Sequence, residues 1–251
     1  MSQLKMMRAM QAVEFAKVLR ALSSRFPFAS ERDRSAWLAG LLTVKFRHRI
    51  DGPVPMFWIF GEAGTGKTML ADHTARTATG QEPIHVSSTV SEGTLNVLVR
   101  RQKPMVIIDN VQRPLSERVL GSLCSLITAQ TLHYLTPLSM MRATVFANST
   151  VFWATGPVME SAQAGELMRR VIPIHLSSST IGQHYGPVGS LLCARQIEEA
   201  DIMMAYSHHV MADAKRESVE PFGLFPEWSE QIREPLVWCG LPDPLSVENM
   251  G

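Results

Sequence analysis

The chain has 251 residues, 45% of them hydrophobic, and 24 Lys/Arg against 23 Asp/Glu leave a formal net charge of +1. That length can bury one sizeable core, and the composition is that of a soluble globular protein. No apolar run approaches the roughly 18–20 residues that span a bilayer, and the N-terminus lacks a signal peptide's apolar stretch, so a cytoplasmic protein without a membrane partner is expected.

Residues 4–22 read as an amphipathic helix, broken by Phe26-Pro27-Phe28. Ser30 is a suitable N-cap for a helix over 31–46 carrying Trp37, Leu38, Leu41 and Leu42. After the turn Asp51-Gly52-Pro53, the run Pro55–Phe60 has strand length, and a helix over 69–79 should stop at Gly80. Short strands at 84–87, 105–108, 150–155 and 171–176 then alternate with helices at 91–101, 115–129 and 160–170. Alternation of this kind implies an α/β fold with a parallel sheet flanked by helices. Thr131–Leu135 and Thr144–Phe146 can pair as a hairpin around Pro137–Arg142. Beyond residue 180 only helices are expected, at 191–216 and 227–239. The resulting division is an N-terminal basic helical segment (1–50), a core (51–180) and a C-terminal acidic helical lid (181–251).

Residues 61–68, Gly-Glu-Ala-Gly-Thr-Gly-Lys-Thr, carry the chemistry. They complete the G-x-x-x-x-G-K-[ST] pattern between a strand and a helix. Gly61, Gly64 and Gly66 let backbone N–H groups converge on a phosphate, with Glu62, Ala63, Thr65 and Met69 lining the same turn. Lys67 is placed to reach β- and γ-phosphates, Thr68 to ligate Mg²⁺, and the following helix to aim its positive end at the anion. A nucleoside triphosphate and Mg²⁺ are therefore the expected ligands. Asp109 closes the apolar run Met105–Ile108 about 40 residues later, where a carboxylate shares the metal with Thr68.

Asn110 stands where many ATPases place a glutamate that polarises the attacking water. An amide orients water but accepts its proton poorly at neutral pH, so either hydrolysis is slow or another carboxylate helps. Glu92 and Glu62 are the candidates, although Glu92 also suits the first turn of a helix. Arg169 and Arg170 close a helix just before a strand. In a ring assembly an arginine here reaches the neighbouring subunit's γ-phosphate, with Arg170 placed first; the bland alternative is a pair of cations at a helix C-terminus.

The even overall balance conceals an asymmetry. Residues 1–50 carry ten Lys/Arg against three Asp/Glu, and residues 181–251 carry four against eleven. A basic head suits nucleic acid, or the acidic tail of the next subunit in a head-to-tail ring. Met140, Met141 and Arg142, at the hairpin tip, are the residues such an insertion would present to a DNA strand in a pore. Cys124, Cys193 and Cys239 are far apart and suggest a reducing compartment, with no disulfide framework or zinc site.

These segments, in this order, resemble the AAA+ ATPase domain of primase–helicase replication proteins from phages, plasmids and other mobile elements. The likeness runs from Phe26–Ala36 through Gly61–Thr68, Ile108-Asp109-Asn110-Val111, Trp153-Ala154-Thr155-Gly156 and Leu167–Arg170 to Phe222-Gly223 and Leu236–Pro244. It implies a homo-oligomeric ring, a hexamer among its forms, that hydrolyses ATP on single-stranded DNA or a replication fork beside a separate primase or replication partner. It implies that Arg233 acts as a lid arginine near the nucleotide. Relatives tend to carry Asn where this chain has Pro157-Val158, so Thr155 is the nearest stand-in for a sensor of the γ-phosphate. Three readings stay open: a replicative-helicase-like motor, a non-translocating switch such as a loader or regulator, and a small-molecule kinase.

Overall fold

The computed structural model describes residues 26–134, 144–157, 165–177 and 219–246. The expected helices at 4–22 and 191–216 and the hairpin tip with Met140, Met141 and Arg142 lie outside them. In chain order the elements are α1 (Glu31–Phe46), β1 (Met56–Phe60), α2 (Lys67–Thr79), β2 (His85–Ser87), α3 (Glu92–Arg100), β3 (Met105–Asp109) and α4 (Glu117–Thr128). They continue with β4 (Thr131–Tyr134), β5 (Thr144–Ala147), β6 (Val151–Gly156), α5 (Gly165–Met168), β7 (Val171–His175), α6 (Pro226–Trp228) and α7 (Glu234–Trp238).

Five strands form one parallel sheet in the order β2-β3-β6-β1-β7. The fold is α/β, with helices covering the sheet. β1, β3 and β6 are buried nearly end to end, which is why they read as continuous apolar runs rather than alternating ones. The chain leaves β1 for the far edge at β2, returns through β3 and β6, and ends outside β1 at β7. The segments following β1, β3, β6 and β7 therefore gather along one edge of the sheet, at the carboxyl ends of its strands, where open α/β sheets bind ligands.

Helix caps follow the sequence closely. Ser30 accepts from the Asp33 amide, Ser91 from Thr94 and Ser116 from Val119. Gly80 closes α2 in the left-handed conformation. Only Gly165–Met168 of the expected 160–170 helix is helical among the described residues, and Arg169-Arg170 form a turn.

α1 is buried on almost every side, as expected of a helix lacking a polar face. The Trp37 indole donates to Thr74 Oγ1 on α2 at 2.8 Å, and the Trp228 indole donates to Thr43 Oγ1 at 2.7 Å. One hydrophobic core thus joins residues from Phe26 to Leu241, and packing does not set α1 apart from the sheet. Part of the basic head is structural too. Arg47 is buried and donates to the carbonyls of Ile50 and Asn148, and burial lowers its pKa to about 10. Arg32 donates to the Pro173 carbonyl and to Asp33.

The antiparallel pair β4–β5 forms the stem of the expected hairpin. Tyr134 and Phe146 stack with ring centroids 5.4 Å apart. The Tyr134 hydroxyl donates to Asn96 Oδ1 at 2.9 Å, and the Arg100 guanidinium lies 4.7 Å from the Tyr134 ring centre. These contacts fasten the stem to α3.

Candidate phosphate and metal site

The phosphate loop joins β1 to α2. Gly66 is the N-cap of α2 at φ 87, a left-handed conformation that a side chain would strain. It leaves the first amides of α2 facing the loop's interior. Thr65 closes the turn by donating to the Glu62 carbonyl at 3.0 Å. Lys67 Nζ donates to the carbonyls of Gly61 at 2.9 Å and Glu62 at 2.6 Å. Desolvation lowers the Lys67 pKa and the nearby Asp109 charge opposes that shift. Glu62 and Ala63 are exposed, so the loop uses their backbone; Met69 packs on the core.

Asp109 ends β3 beside this loop. Its Oδ1 accepts from Thr68 Oγ1 at 2.9 Å and from Thr155 Oγ1 at 2.6 Å. Thr155 is the penultimate residue of β6, the strand between β3 and β1, and is 1% exposed. Its hydroxyl also accepts the Asn110 amide at 2.9 Å. Having spent its proton on Asp109, Thr155 is a brace for that carboxylate, which differs from the γ-phosphate sensor expected of it. Gly156 follows, and a Cβ there would lie 2.3 Å from the Val111 carbonyl oxygen. The close approach fixes where the chain turns after Asp109, with Val111 N donating to Thr155 O at 2.7 Å.

Asn110 adopts φ 55. Among residues with side chains, Asn tolerates the left-handed region best, so the turn itself asks for Asn. Its Oδ1 accepts from Gln112 at 3.0 Å.

The donors gathered here, two hydroxyls and one carboxylate, are hard oxygens. They fit Mg²⁺, which takes few protein ligands and completes its shell with phosphates and water. Among the described residues no group of three or more His, Cys, Asp or Glu could hold a metal.

Other expected residues lie elsewhere. Glu92 is exposed at the start of α3 and lines a cavity of about 540 Å³ with Asn96, Glu117, Arg118, His133 and Tyr134, a lining that includes no residue of the phosphate loop. Arg233 is 7% exposed and bonded bidentately to Asp243, at 2.7 and 2.6 Å, and to the Glu220 carbonyl at 2.6 Å. Three of its five N–H donors, one from each nitrogen, staple the C-terminal segment. Of the arginine pair, the Arg170 side chain is 16% exposed, with its Nε buried and unpartnered, whereas Arg169 is 68% exposed. Both pair with Glu166. Arg169 is thus the more exposed of the two, whereas the sequence places Arg170 first.

Two histidines at the site were not anticipated. His85 on β2 bonds Asp72 Oδ1 on α2 at 2.8 Å, with its Nδ1 3.9 Å from Asp109 Oδ2. His175 at the end of β7 stacks on Phe60, the residue before the loop, with centroids 5.3 Å apart. Neither belongs to a spacing motif; only the sheet order brings them here.

No family model and no curated protein matches the chain. Solved structures that resemble it include the C-terminal region of NrS-1, with 20% identity over 72% of this chain and a TM-score of 0.39. The SCCmec type IV Cch helicase shows 14% identity over 92% and a TM-score of 0.46. The JCV helicase shows 14% over 67% and a TM-score of 0.37. The matches cover 41%, 48% and 53% of those chains, so this chain corresponds to about half their length. No helix among the described residues is long and apolar enough to cross a membrane.

Proposed function

We propose that the chain is a Mg²⁺-dependent ATPase of helicase type that works on DNA as an oligomer. The observation that carries the reading is the cluster at the loop's mouth, in which Thr68 and Thr155 both donate to one oxygen of Asp109. The first turn of α2 and the ends of two strands, β3 and β6, deliver these residues to one point, an arrangement a chance Gly-rich turn has no reason to assemble. Lys67 and the first amides of α2 bind the β- and γ-phosphates. Thr68 and Asp109 would hold Mg²⁺, which supplies charge neutralisation at the phosphate oxygens. Arg169, exposed beside β7, is the arginine offered to an adjoining subunit. Met140, Met141 and Arg142, which lie in sequence between the paired strands β4 and β5, are the residues offered to DNA.

A second reading, a non-translocating switch that assembles on DNA or a partner and releases on hydrolysis, draws on Asn110. Its position favours an amide over a carboxylate, and slow hydrolysis suits a timer better than a motor.

The test is the ATP hydrolysis rate with and without single-stranded DNA across a range of protein concentrations. A rate that rises with DNA, and more than linearly with protein, is expected of an assembled DNA-dependent ATPase. A DNA-independent rate strictly linear in protein would overturn the motor and the DNA-assembled switch, in favour of a small-molecule kinase or a partner-triggered switch. Strand separation then divides motor from switch.

A further inference from the structure

The phosphate loop has two flanks, and only one is accounted for by phosphate and metal chemistry. Thr68, Asp109 and Thr155 lie toward β6 and β3. On the other side of β1 stands β7, whose last residue, His175, is in register with Phe60. The Leu176 amide donates to the Phe60 carbonyl at 2.9 Å, and a Cβ on Gly61 would lie 3.1 Å from the Leu176 carbonyl oxygen. His175 is therefore directly beside the first glycine of the loop.

His175 is held with unusual care for a side chain that is 46% exposed. One ring face stacks on Phe60, at an interplanar angle of 21°. Its Nδ1 lies 3.0 Å from Asp33 Oδ1, and its backbone amide donates to the same oxygen at 2.8 Å. Asp33 is 4% exposed, and Ser30 Oγ donates to its other oxygen at 2.7 Å. Burial alone would raise the Asp33 pKa, yet the hydrogen bonds from His175 and Ser30 outweigh it and hold the group below its ordinary value. An ionised carboxylate only accepts, so Nδ1 carries a proton, and in that tautomer of the imidazole Nε2 is the acceptor. The segment before α1 clasps the same strand end, with Ala29 N donating to His175 O at 2.9 Å and Ser177 N to Pro27 O at 2.7 Å.

A nucleotide's polarity connects these facts. With its terminal phosphates and metal on the β6–β3 flank, its nucleoside end leaves the loop on the β7 flank. We infer that His175, oriented by buried Asp33 and stacked on Phe60, is the nucleoside-recognition residue of this site, its Nε2 accepting a hydrogen bond from a donor on the base or sugar. The exocyclic amine of adenine and a ribose hydroxyl are the two donors with that chemistry. Asp33 acts through His175, as a positioning residue. The inference rests on the triphosphate reading of the loop.

Calorimetric titration of the full chain with ATP and with inorganic tripolyphosphate separates the two ideas. Because its side chain is half exposed, His175→Ala leaves the core intact. It is expected to weaken ATP about tenfold, the size of one hydrogen bond, and to leave tripolyphosphate unchanged. His175→Asn, which keeps an acceptor, should recover part of the loss. Inosine triphosphate and the 2′- and 3′-deoxy forms of ATP identify the donor: the analogue that wild type binds weakly, and that His175→Ala no longer distinguishes from ATP, lacks it. Unchanged ATP affinity in His175→Ala, or equal losses of ATP and tripolyphosphate, would overturn the inference. Wild-type protein that binds neither ligand would instead sink the loop assignment beneath it.

Discussion

Two aspartates flank the phosphate loop, and they are finished in opposite ways. Asp33 is saturated: its oxygens accept from Ser30, Arg32 and both nitrogens that His175 offers, and its side chain is 6% exposed. Asp109 is finished on one oxygen only. Oδ1 takes two hydroxyls, while Oδ2 has the His85 Nδ1 3.9 Å away, and the side chain is 30% exposed. A saturated carboxylate can orient a neighbour but has no lone pair left for a ligand. A half-finished one is braced in place and keeps an oxygen for a cation. Burial and hydrogen-bond count thus separate a positioning acid from a ligand acid with the same side chain.

The contrast predicts opposite failures. Asp109→Asn should lower Mg²⁺-dependent ATP turnover by at least about a hundredfold, as should Lys67→Ala. Because Asp109 is only partly buried, its thermal midpoint should stay close to wild type. Turnover within a fewfold of wild type in either variant would remove the site assigned here.

How far this was visible beforehand differs between the flanks. The loop and Asp109 announce themselves because their chemistry needs contiguous residues: a glycine-rich turn, a lysine beside a threonine, an acid at the end of an apolar strand. Caps such as Ser30 and Ser91 are local for the same reason. Asp33 and His175 are 142 positions apart and meet only because β7 lies outside β1 in the sheet, an order that periodicity does not encode. Asp72 and His85 have the same excuse across α2 and β2. α1 looked like part of a separate basic segment because charge was counted without burial; Arg32 and Arg47 turn out to be tied to backbone carbonyls of the core. Arg233 looked available for the same reason, and Asp243 had already claimed it.

On the positioning side the loss should be stability. Asp33→Asn leaves a buried cluster of donors facing a neutral amide, with an expected cost of about 3 kcal/mol by denaturant titration. Asp33 also sets a pH limb. Its folded pKa lies below the ordinary 3.8, so the folded state binds fewer protons than the unfolded one around that pH. The stabilisation is in place above that value and fades as pH falls through the folded pKa. The Asn variant should lose that acid limb, and an unchanged limb would show that Asp33 is not its source.

A smaller effect is expected where the two strands behind Asp109 touch. Gly156→Ala places a Cβ 2.3 Å from the Val111 carbonyl, a backbone atom that cannot rotate aside. Moving it should cost about 2 kcal/mol, and it should displace Asn110 and Thr155 together. Turnover at saturating ATP should therefore fall along with stability, whereas Asp33→Asn, on the other flank, should act through ATP affinity. Equal turnover in Gly156→Ala and wild type would mean that the Asp109 brace tolerates this shift.

The smallest change tests why the chain carries Asn110. If the left-handed turn selected the amide, Asn110→Gly should be nearly neutral in stability and Asn110→Glu should cost about 1 kcal/mol. The glutamate's acceptor would also stand one methylene farther from the backbone than the amide oxygen that Gln112 now bonds. Its carboxylate then enters a turn shaped for another residue, so turnover should not rise. A severalfold gain in Asn110→Glu would show instead that the backbone admits a general base there, and that its absence is what keeps hydrolysis slow.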